Sequence, residues 1–289
     1  MKKILITGGN GQLGSSLSAS VPEGYAVIVA DRQTLDISDS MSVDTWFGTN
    51  KPDGIINAAA YTAVDKAESE LELAKAANTD GPKNLASSAA ALNIPMVHVS
   101  TDFVFNGQSG PPYRPDDSTD PLGVYGLTKR DGEQHVLSLH GDKAAIIRTA
   151  WVYDAGGNNF MMTMLRLMKE KESLGVVADQ IGSPTYVQSL AKACWVALEK
   201  ELSGVYHWTD AGVASWYDFA VAIQEEALAL NILRKSIPIN PLTTEAFPTP
   251  AARPSNSVLD KTETWQALGL TAPHWRENLR AALSTLADQ

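Results

Sequence analysis

Three glycines at a spacing of three close the first apolar run of the chain. Lys3-Ile4-Leu5-Ile6-Thr7 reads as a short strand. Gly8, Gly11 and Gly14 follow in Thr-Gly-Gly-Asn-Gly-Gln-Leu-Gly, where a helical segment opens over 11–20. Strand, glycine turn and helix in that order are the context in which such a triplet holds a dinucleotide. Glycine lets the turn close and lets backbone N–H groups approach a pyrophosphate, and the helix N-terminus adds partial positive charge. A triplet alone is a weak signal, so its surroundings carry the argument.

Asp31 ends a β-branched and aromatic strand, Tyr25–Ala30, 17 residues after Gly14. A carboxylate there accepts hydrogen bonds from an adenosine ribose, which favours NAD. The neighbouring Arg32 suits a 2′-phosphate, which favours NADP. Both cofactors stay open. Leu35-Asp36-Ile37-Ser38-Asp39 reads as a helix-capping loop in which Asp36 and Ile37 also flank an adenine ring. Asn57-Ala58-Ala59-Ala60 ends the third strand with small residues that leave room for a ligand.

The alternation continues. Strand signals at 3–7, 25–30, 54–58, 96–100 and 144–148 are separated by helical stretches at 11–20, 38–50, 69–93 and 125–139, the third interrupted at Asp80-Gly81-Pro82. Strands joined by helical crossovers make a doubly wound parallel sheet. The second half is less regular. Helical stretches at 159–171, 186–201, 216–231 and 275–286 and short strands at 174–177 and 205–208 surround a loop-rich segment with Pro238, Pro241, Pro248, Pro250 and Pro254. For 289 residues the reading is α/β. A Rossmann-type dinucleotide-binding domain spans 1–155. A smaller mixed α/β substrate-binding cap spans 156–289, with segments returning to the first domain.

Composition excludes several classes. The 33 acids outnumber the 23 bases, a net charge of −10, which argues against a nucleic acid or an anionic membrane surface as partner. The single cysteine, Cys194, supports no disulfide or cysteine zinc site and reads as a buried helix residue. The apolar run after Lys2 and Lys3 stops at Thr7, short of a signal sequence, and nothing approaches the ~18 apolar residues of a membrane span. A cytoplasmic protein is expected.

Tyr125 and Lys129 are four apart and so share a helix face. With 8 tyrosines and lysine at roughly 5%, about 0.4 such pairs arise by chance, so spacing alone does not persuade. The chemistry does more. Tyrosine is a poor acid–base group at its usual pKa of ~10, and a nearby ammonium favours the phenolate and lowers that value. The pair then relays a proton at neutral pH. Ser100-Thr101-Asp102 ends the fourth strand, 24 residues before Tyr125, at the edge the glycine turn also faces. A Thr101 hydroxyl there can bond a substrate carbonyl. Trp151 suits the face of a sugar, and Arg253 suits a diphosphate clamp. Core packing and a surface ion pair are the alternatives for these two. His98, Trp216 and Tyr217 read as structural, and Asp65 and Glu68 as solvated or capping.

Through these residues the chain resembles the extended short-chain dehydrogenase/reductases and, within them, the dTDP-4-dehydrorhamnose reductase family. The resemblance rests on Gly8 to Gly14, on Asn57-Ala58-Ala59-Ala60-Tyr61-Thr62-Ala63-Val64-Asp65-Lys66-Ala67-Glu68, on Thr101-Asp102-Phe103-Val104-Phe105, and on Tyr125-Gly126-Leu127-Thr128-Lys129. It continues through Arg148-Thr149-Ala150-Trp151, Gly157-Asn158-Asn159-Phe160, Asp179-Gln180-Ile181-Gly182-Ser183-Pro184-Thr185 and Arg253-Pro254-Ser255. It implies reduction of the C4 ketone of dTDP-4-dehydro-6-deoxy-L-mannose by NADPH or NADH, giving dTDP-L-rhamnose for cell-surface polysaccharide. Tyr125 would donate the proton. Lys129 would lower the Tyr125 pKa and hold the nicotinamide ribose, and Thr101 would bond the reacting oxygen. Gly8, Gly11, Gln12, Leu13, Gly14, Asp31, Arg32, Asp36, Ile37, Ala58, Ala60, Tyr61, Thr62 and Val99 would line the cofactor with Tyr125 and Lys129. Thr101, Asp102, Tyr125, Trp151, Asn159 and Arg253 would contact a dTDP-sugar. A homodimer is left open.

Two positions depart from the family pattern. Phe103 stands where many relatives have tyrosine, and Ala150 where many have serine. Some relatives are described with magnesium at a subunit contact. Here Ser15 and Ser16 follow the turn with no acid, so magnesium is not supported and no metal ligand is assigned. Two other readings compete with a reductase: another epimerase or dehydratase of the superfamily, and a non-catalytic regulatory subunit like that of methionine adenosyltransferase. Phe103, in place of an acid pair after the threonine, disfavours dehydration. An intact Thr101, Tyr125 and Lys129 disfavours the regulatory role.

Overall fold

The computed structural model describes residues 1–108 and 110–287. Its first half runs β1 (Lys2–Thr7), α1 (Gln12–Ala19), β2 (Tyr25–Ala30), α2 (Ser40–Thr49), β3 (Gly54–Asn57), α3 (Val64–Ala67), α4 (Leu71–Lys75), α5 (Gly81–Leu92), β4 (Met96–Thr101), α6 (Val124–His140) and β5 (Ala144–Thr149). Then come β6 (Val152–Tyr153), α7 (Phe160–Glu170), β7 (Leu174–Val177), β8 (Ile181–Gly182), β9 (Thr185–Tyr186), α8 (Val187–Glu199) and β10 (Gly204–His207). β11 (Ala214–Ser215), α9 (Trp216–Ala229), β12 (Ile239–Leu242), α10 (Thr262–Leu268) and α11 (Trp275–Ala287) complete the chain.

Six strands form one parallel sheet in the order β10-β5-β4-β3-β1-β2. Side chains alternate between its faces. Ile4, Ile6, Ile56, Val97, Ala145 and Ile147 meet Leu17 of α1 and Leu190, Ala191, Cys194 and Leu198 of α8. Leu5, Ile55, Met96, Ala144 and Ile146 meet Val43 and Phe47 of α2, Leu85 and Ala89 of α5, and Val136 of α6. Both faces are covered, which is why the strands read as continuous apolar runs. The sheet is Rossmann-type and doubly wound, and the chain reverses direction across it between β1 and β3.

The second half builds a separate core in which Met161, Leu165, Phe219, Ile223, Leu279 and Leu283 of α7, α9 and α11 pack together. It also returns to the sheet. β10 pairs with β5, and α8 packs beside α1 against β3, β4 and β5, with the Trp195 indole donating to the Leu17 carbonyl of α1 at 3.1 Å.

The interruption read at Asp80-Gly81-Pro82 is corrected. α4 passes into α5 through one π-helical turn at Ala76–Asp80, with no break in the chain's helical path. The wider turn accommodates Pro82, which has no N–H to give. Asp39, at the end of the capping loop, caps α2 by accepting from the Met41 N–H at 3.0 Å. The α6 N-terminus is closed from a distance, with the Val124 N–H donating to Glu68 Oε1 at 2.9 Å.

Candidate active site

A cleft of about 1040 Å³ opens over the carboxyl ends of β1, β3, β4 and β5. Such crevices beside the reversal point are where open α/β sheets hold ligands. One small-ligand site takes ~300–1,000 Å³, so this cleft has room for two.

The glycine turn forms one end. Gly8 sits at φ +70°, the left-handed region, and the Gly11 N–H donates to the Gly8 carbonyl at 2.9 Å. A Cβ on Gly14 would meet that carbonyl oxygen at 2.3 Å, and one on Gly8 would meet the Ala59 nitrogen at 2.7 Å. The Gly11 cap supplies no side-chain bond to α1, and no acid lies in the first helical turn. Open N–H donors and an uncompensated helix end fit a pyrophosphate.

Asp31 and Arg32 line the far edge. Asp31 accepts from the Gln33 and Thr34 N–H groups, the Thr34 hydroxyl and the Asn10 amide, and these bonds hold its carboxyl below the usual range. Arg32 reaches Asp36 at 3.3 Å and is otherwise exposed. Groups suited to a ribose hydroxyl and to a 2′-phosphate therefore stand side by side. Gln12, Leu13, Asp36, Ile37, Ala58, Ala60, Tyr61, Thr62 and Val99 line the cleft between this edge and the strand ends. Ile37 is 7% exposed and belongs largely to the core. The Tyr61 hydroxyl donates to Glu70 Oε2 at 2.6 Å, and that carboxylate pushes the phenol up to about 12.

Under the cleft a polar chain joins three strands. Asn57 Oδ1 accepts from the Thr7 hydroxyl at 2.6 Å and the Ala59 N–H at 3.1 Å, so its amide nitrogen donates to His98 Nδ1 at 2.9 Å. Burial and the Lys129 charge keep His98 neutral.

Thr101, Tyr125 and Lys129 all reach the cleft. Lys129 is 1% exposed and donates to the Val99 carbonyl at 2.6 Å. Burial pulls its ammonium down to about 8, with Glu133 opposing. Thr101 caps the turn after β4, accepting from the Phe103 N–H at 3.2 Å and donating to Asp102 Oδ1 at 3.1 Å. Burial pushes Asp102 up to about 6 against Ser257 and Thr101.

The expectation that Lys129 lowers the Tyr125 pKa is corrected. Burial pushes Tyr125 up to about 12, with Thr101 pulling it down and Asp102 raising it, and Lys129 is not among the groups acting on it. The lysine is turned to the Val99 carbonyl. Tyr125 is therefore firmly protonated at neutral pH.

Trp151, at φ +48°, stacks on Trp216 with ring centroids 3.5 Å apart and planes 10° apart. Gly182 is required beneath it, because a Cβ there would fall 2.7 Å from the indole. Trp216, read from sequence as packing, lines the cleft, and Phe103 sets its ring edge-on to Tyr125 at 5.6 Å. Sequence reading missed both as site residues, since an aromatic at a helix start or after a capped turn looks like core. Asn159 lines the cleft but serves its own helix, accepting from the Met162 N–H and donating toward Gln12, Asp154 and Gly156. Arg253 also reaches the cleft, yet its guanidinium is bidentate on Asp65 at 2.9 and 3.1 Å, so Asp65 is not simply solvated. Among the described residues no group of three or more His, Cys, Asp or Glu is placed to hold a metal. No helix among them is long and apolar enough to cross a membrane.

A model of the RmlD substrate binding domain matches residues 1–287. The chain belongs to that family. Similarity to RmlD-family proteins extends over nearly the whole length. A dTDP-4-dehydrorhamnose reductase of Aggregatibacter actinomycetemcomitans is 43% identical over 288 residues, covering 97% of this chain and 98% of the relative. The crystal structure of a dTDP-4-dehydrorhamnose reductase from Clostridium acetobutylicum superposes with a TM-score of 0.93 at 40% identity, over 98% of this chain and 99% of that one. An RmlD-type reductase structure from Bacillus anthracis, in complex with NADP, gives 0.93 at 38% identity with the same coverage.

Proposed function

We propose that this chain reduces the C4 ketone of dTDP-4-dehydro-6-deoxy-L-mannose to dTDP-L-rhamnose with NADPH or NADH. One observation carries the reading. Tyr125 and Lys129 of α6 and Thr101 of β4 meet in the cleft that also contains the open glycine turn. Full-length similarity to dTDP-4-dehydrorhamnose reductases supports the substrate class.

A bound nicotinamide supplies the hydride. The chain's own residues manage the proton and the orientation. Tyr125, protonated across neutral pH, donates its hydroxyl proton to the alkoxide oxygen that forms at C4. Lys129, buried at the cleft with its ammonium on the Val99 carbonyl, holds the nicotinamide ribose. Thr101 bonds the reacting oxygen, and Asp102 accepts from a sugar hydroxyl. The Trp151–Trp216 stack forms an apolar wall for the sugar nucleotide. The α1 N-terminus and Lys129 offset the phosphate charge in an otherwise acidic chain. The RmlD-family body over 1–155 carries the dinucleotide and the cap over 156–289 most of the sugar nucleotide. The proposed compartment is the cytoplasm, and a homodimer is checked by light scattering.

The test is to incubate the protein with dTDP-4-dehydro-6-deoxy-L-mannose and either NADPH or NADH and to follow the nicotinamide absorbance. Loss of absorbance with dTDP-L-rhamnose as product is expected. No oxidation with either cofactor refutes the reading.

A further inference from the structure

The proline-rich segment after β12 forms a strap over 243–257 that is tied at both ends. At its start the Thr244 N–H and hydroxyl donate to Asp179 of the cap at 2.9 and 2.8 Å. At its end the Ser255 hydroxyl donates to the Gly107 carbonyl of the first half at 2.9 Å, and the Ser255 carbonyl accepts the Ile181 N–H at 2.8 Å. Between these ties stands Asp65 of α3. Its Oδ1 accepts the Ala251 N–H at 3.2 Å and Arg253 Nη1 at 3.1 Å, and its Oδ2 accepts Arg253 Nη2 at 2.9 Å. Nη1 also donates to the Thr249 hydroxyl and to the Ala251 carbonyl, the latter at 3.1 Å. Among the described residues, Asp65 is the only hydrogen-bonding partner that 249–253 has outside the strap.

A guanidinium carries five N–H donors in a planar fork. Asp65 takes the end-on pair, one hydrogen each from Nη1 and Nη2, and the second Nη1 hydrogen stays within the strap. The side-on edge, made of Nε–H and the second Nη2–H, bonds to no described residue. Two parallel donors of that kind match a phosphate. Arg253 lines both the main cleft and a side recess walled by Phe103, Trp151 and Trp216. Asp65 itself follows the cleft-lining run 58–62. The ion pair is close to neutral, so the free edge offers direction more than net charge.

We propose that Asp65 is a positioning residue for the sugar nucleotide: it grips Arg253 end-on and pins the strap, which holds the side-on edge of the guanidinium ready for a nucleoside diphosphate in the cleft. The inference rests on the reading of this cleft as a dTDP-sugar site. Asp65 acts through Arg253 and touches no ligand itself. An arginine side chain has much rotamer freedom to lose, and the grip removes that loss from the binding step. Arg253 and the Ala251 N–H hold the Asp65 carboxyl below its usual range, so the grip stays ionised at neutral pH. Because the strap is tied separately at Asp179 and Gly107, losing Asp65 frees its middle without releasing the segment.

The experiment is a calorimetric titration of the full chain with dTDP, with NADP⁺ present to fill the glycine-turn end of the cleft. Asp65→Asn should raise the Kd for dTDP about tenfold, the weight of ordering one arginine side chain. Arg253→Ala should raise it at least as much, and adding Asp65→Asn to Arg253→Ala should cost nothing further. A carboxylate that merely neutralised Arg253 gives the opposite sign, tighter dTDP binding in Asp65→Asn. That result, an unchanged Kd, an equal loss in the Arg253→Ala background, or an equal loss of NADP⁺ affinity overturns the proposal, as does wild-type protein that binds no dTDP. In the reductase assay Asp65→Asn should raise KM for the sugar nucleotide with kcat held within about twofold. Wild-type protein that shows the dTDP pattern yet is inert toward the sugar refutes the proposed function and leaves this inference standing. Turnover with an unchanged dTDP Kd in Asp65→Asn does the reverse.

Discussion

A methyl group on Gly14 tests whether the glycine turn is a cradle shaped by close backbone contact. The added carbon would lie 2.3 Å from the Gly8 carbonyl oxygen, 2.9 Å from the Gly8 carbonyl carbon and 2.8 Å from Gly9 Cα. Ordinary contacts sit near 3.5 Å, so the turn must retreat by about 1 Å. All three atoms are backbone, and no rotamer change relieves them. Overpacking of this kind destabilises by ~1–3 kcal/mol. The same oxygen accepts the Gly11 N–H, so the donors facing the pyrophosphate shift with it. One misaligned hydrogen bond to a charged group is worth ~1.5–3 kcal/mol, a tenfold to hundredfold rise in Kd for NADPH and for NADH. Fluorescence titration and a thermal melt of Gly14→Ala read both effects. Gly48→Ala is the control, because a Cβ there meets nothing within 4 Å. It should leave Kd alone and stabilise α2 by about 0.5–1 kcal/mol. A Gly14→Ala protein whose Kd lies within threefold of wild type would refute the cradle.

Three further outcomes are expected. Tyr125→Phe should lower kcat by ~10²–10⁴-fold with cofactor affinity intact, and unchanged turnover would remove Tyr125 from the proton path. Trp216→Ala should raise KM for the sugar nucleotide about tenfold, because Trp151 loses a stacking partner worth ~0.5–1.5 kcal/mol beyond its buried area; steady-state kinetics check it, and an unchanged KM would make Trp216 mere core. Asp210 is 0% exposed and is pushed by burial up to about 6 from a starting 3.8. Its folded value is raised, so its contribution to stability is full below pH 3.8 and is lost as pH rises through about 6. Asp210→Asn should therefore gain on wild type by roughly 2 kcal/mol between pH 4 and pH 7. Urea unfolding across that range measures the gain, and parallel curves would contradict the burial argument.

Local pattern in the chain makes much of this molecule legible. The apolar run with its glycine triplet, the alternating strands and helices up to β5, and the tyrosine and lysine on one helix face are written in spacings of two, three and four. Those spacings act between residues close in the chain. Tertiary structure decided the rest. β10 joins β5 as the sixth strand and α8 packs beside α1 against β3, β4 and β5, although both come from the less regular second half of the chain. Trp216 meets Trp151, and Arg253 reaches Asp65 from the proline-rich segment, through contacts that no local period encodes. The Tyr125 phenol is the plainest case. Sequence spacing predicts that Lys129 lowers its pKa, but folding buries the hydroxyl and turns the ammonium to Val99, so desolvation wins. Desolvation depends on what surrounds a group on all sides, and only the assembled fold determines that.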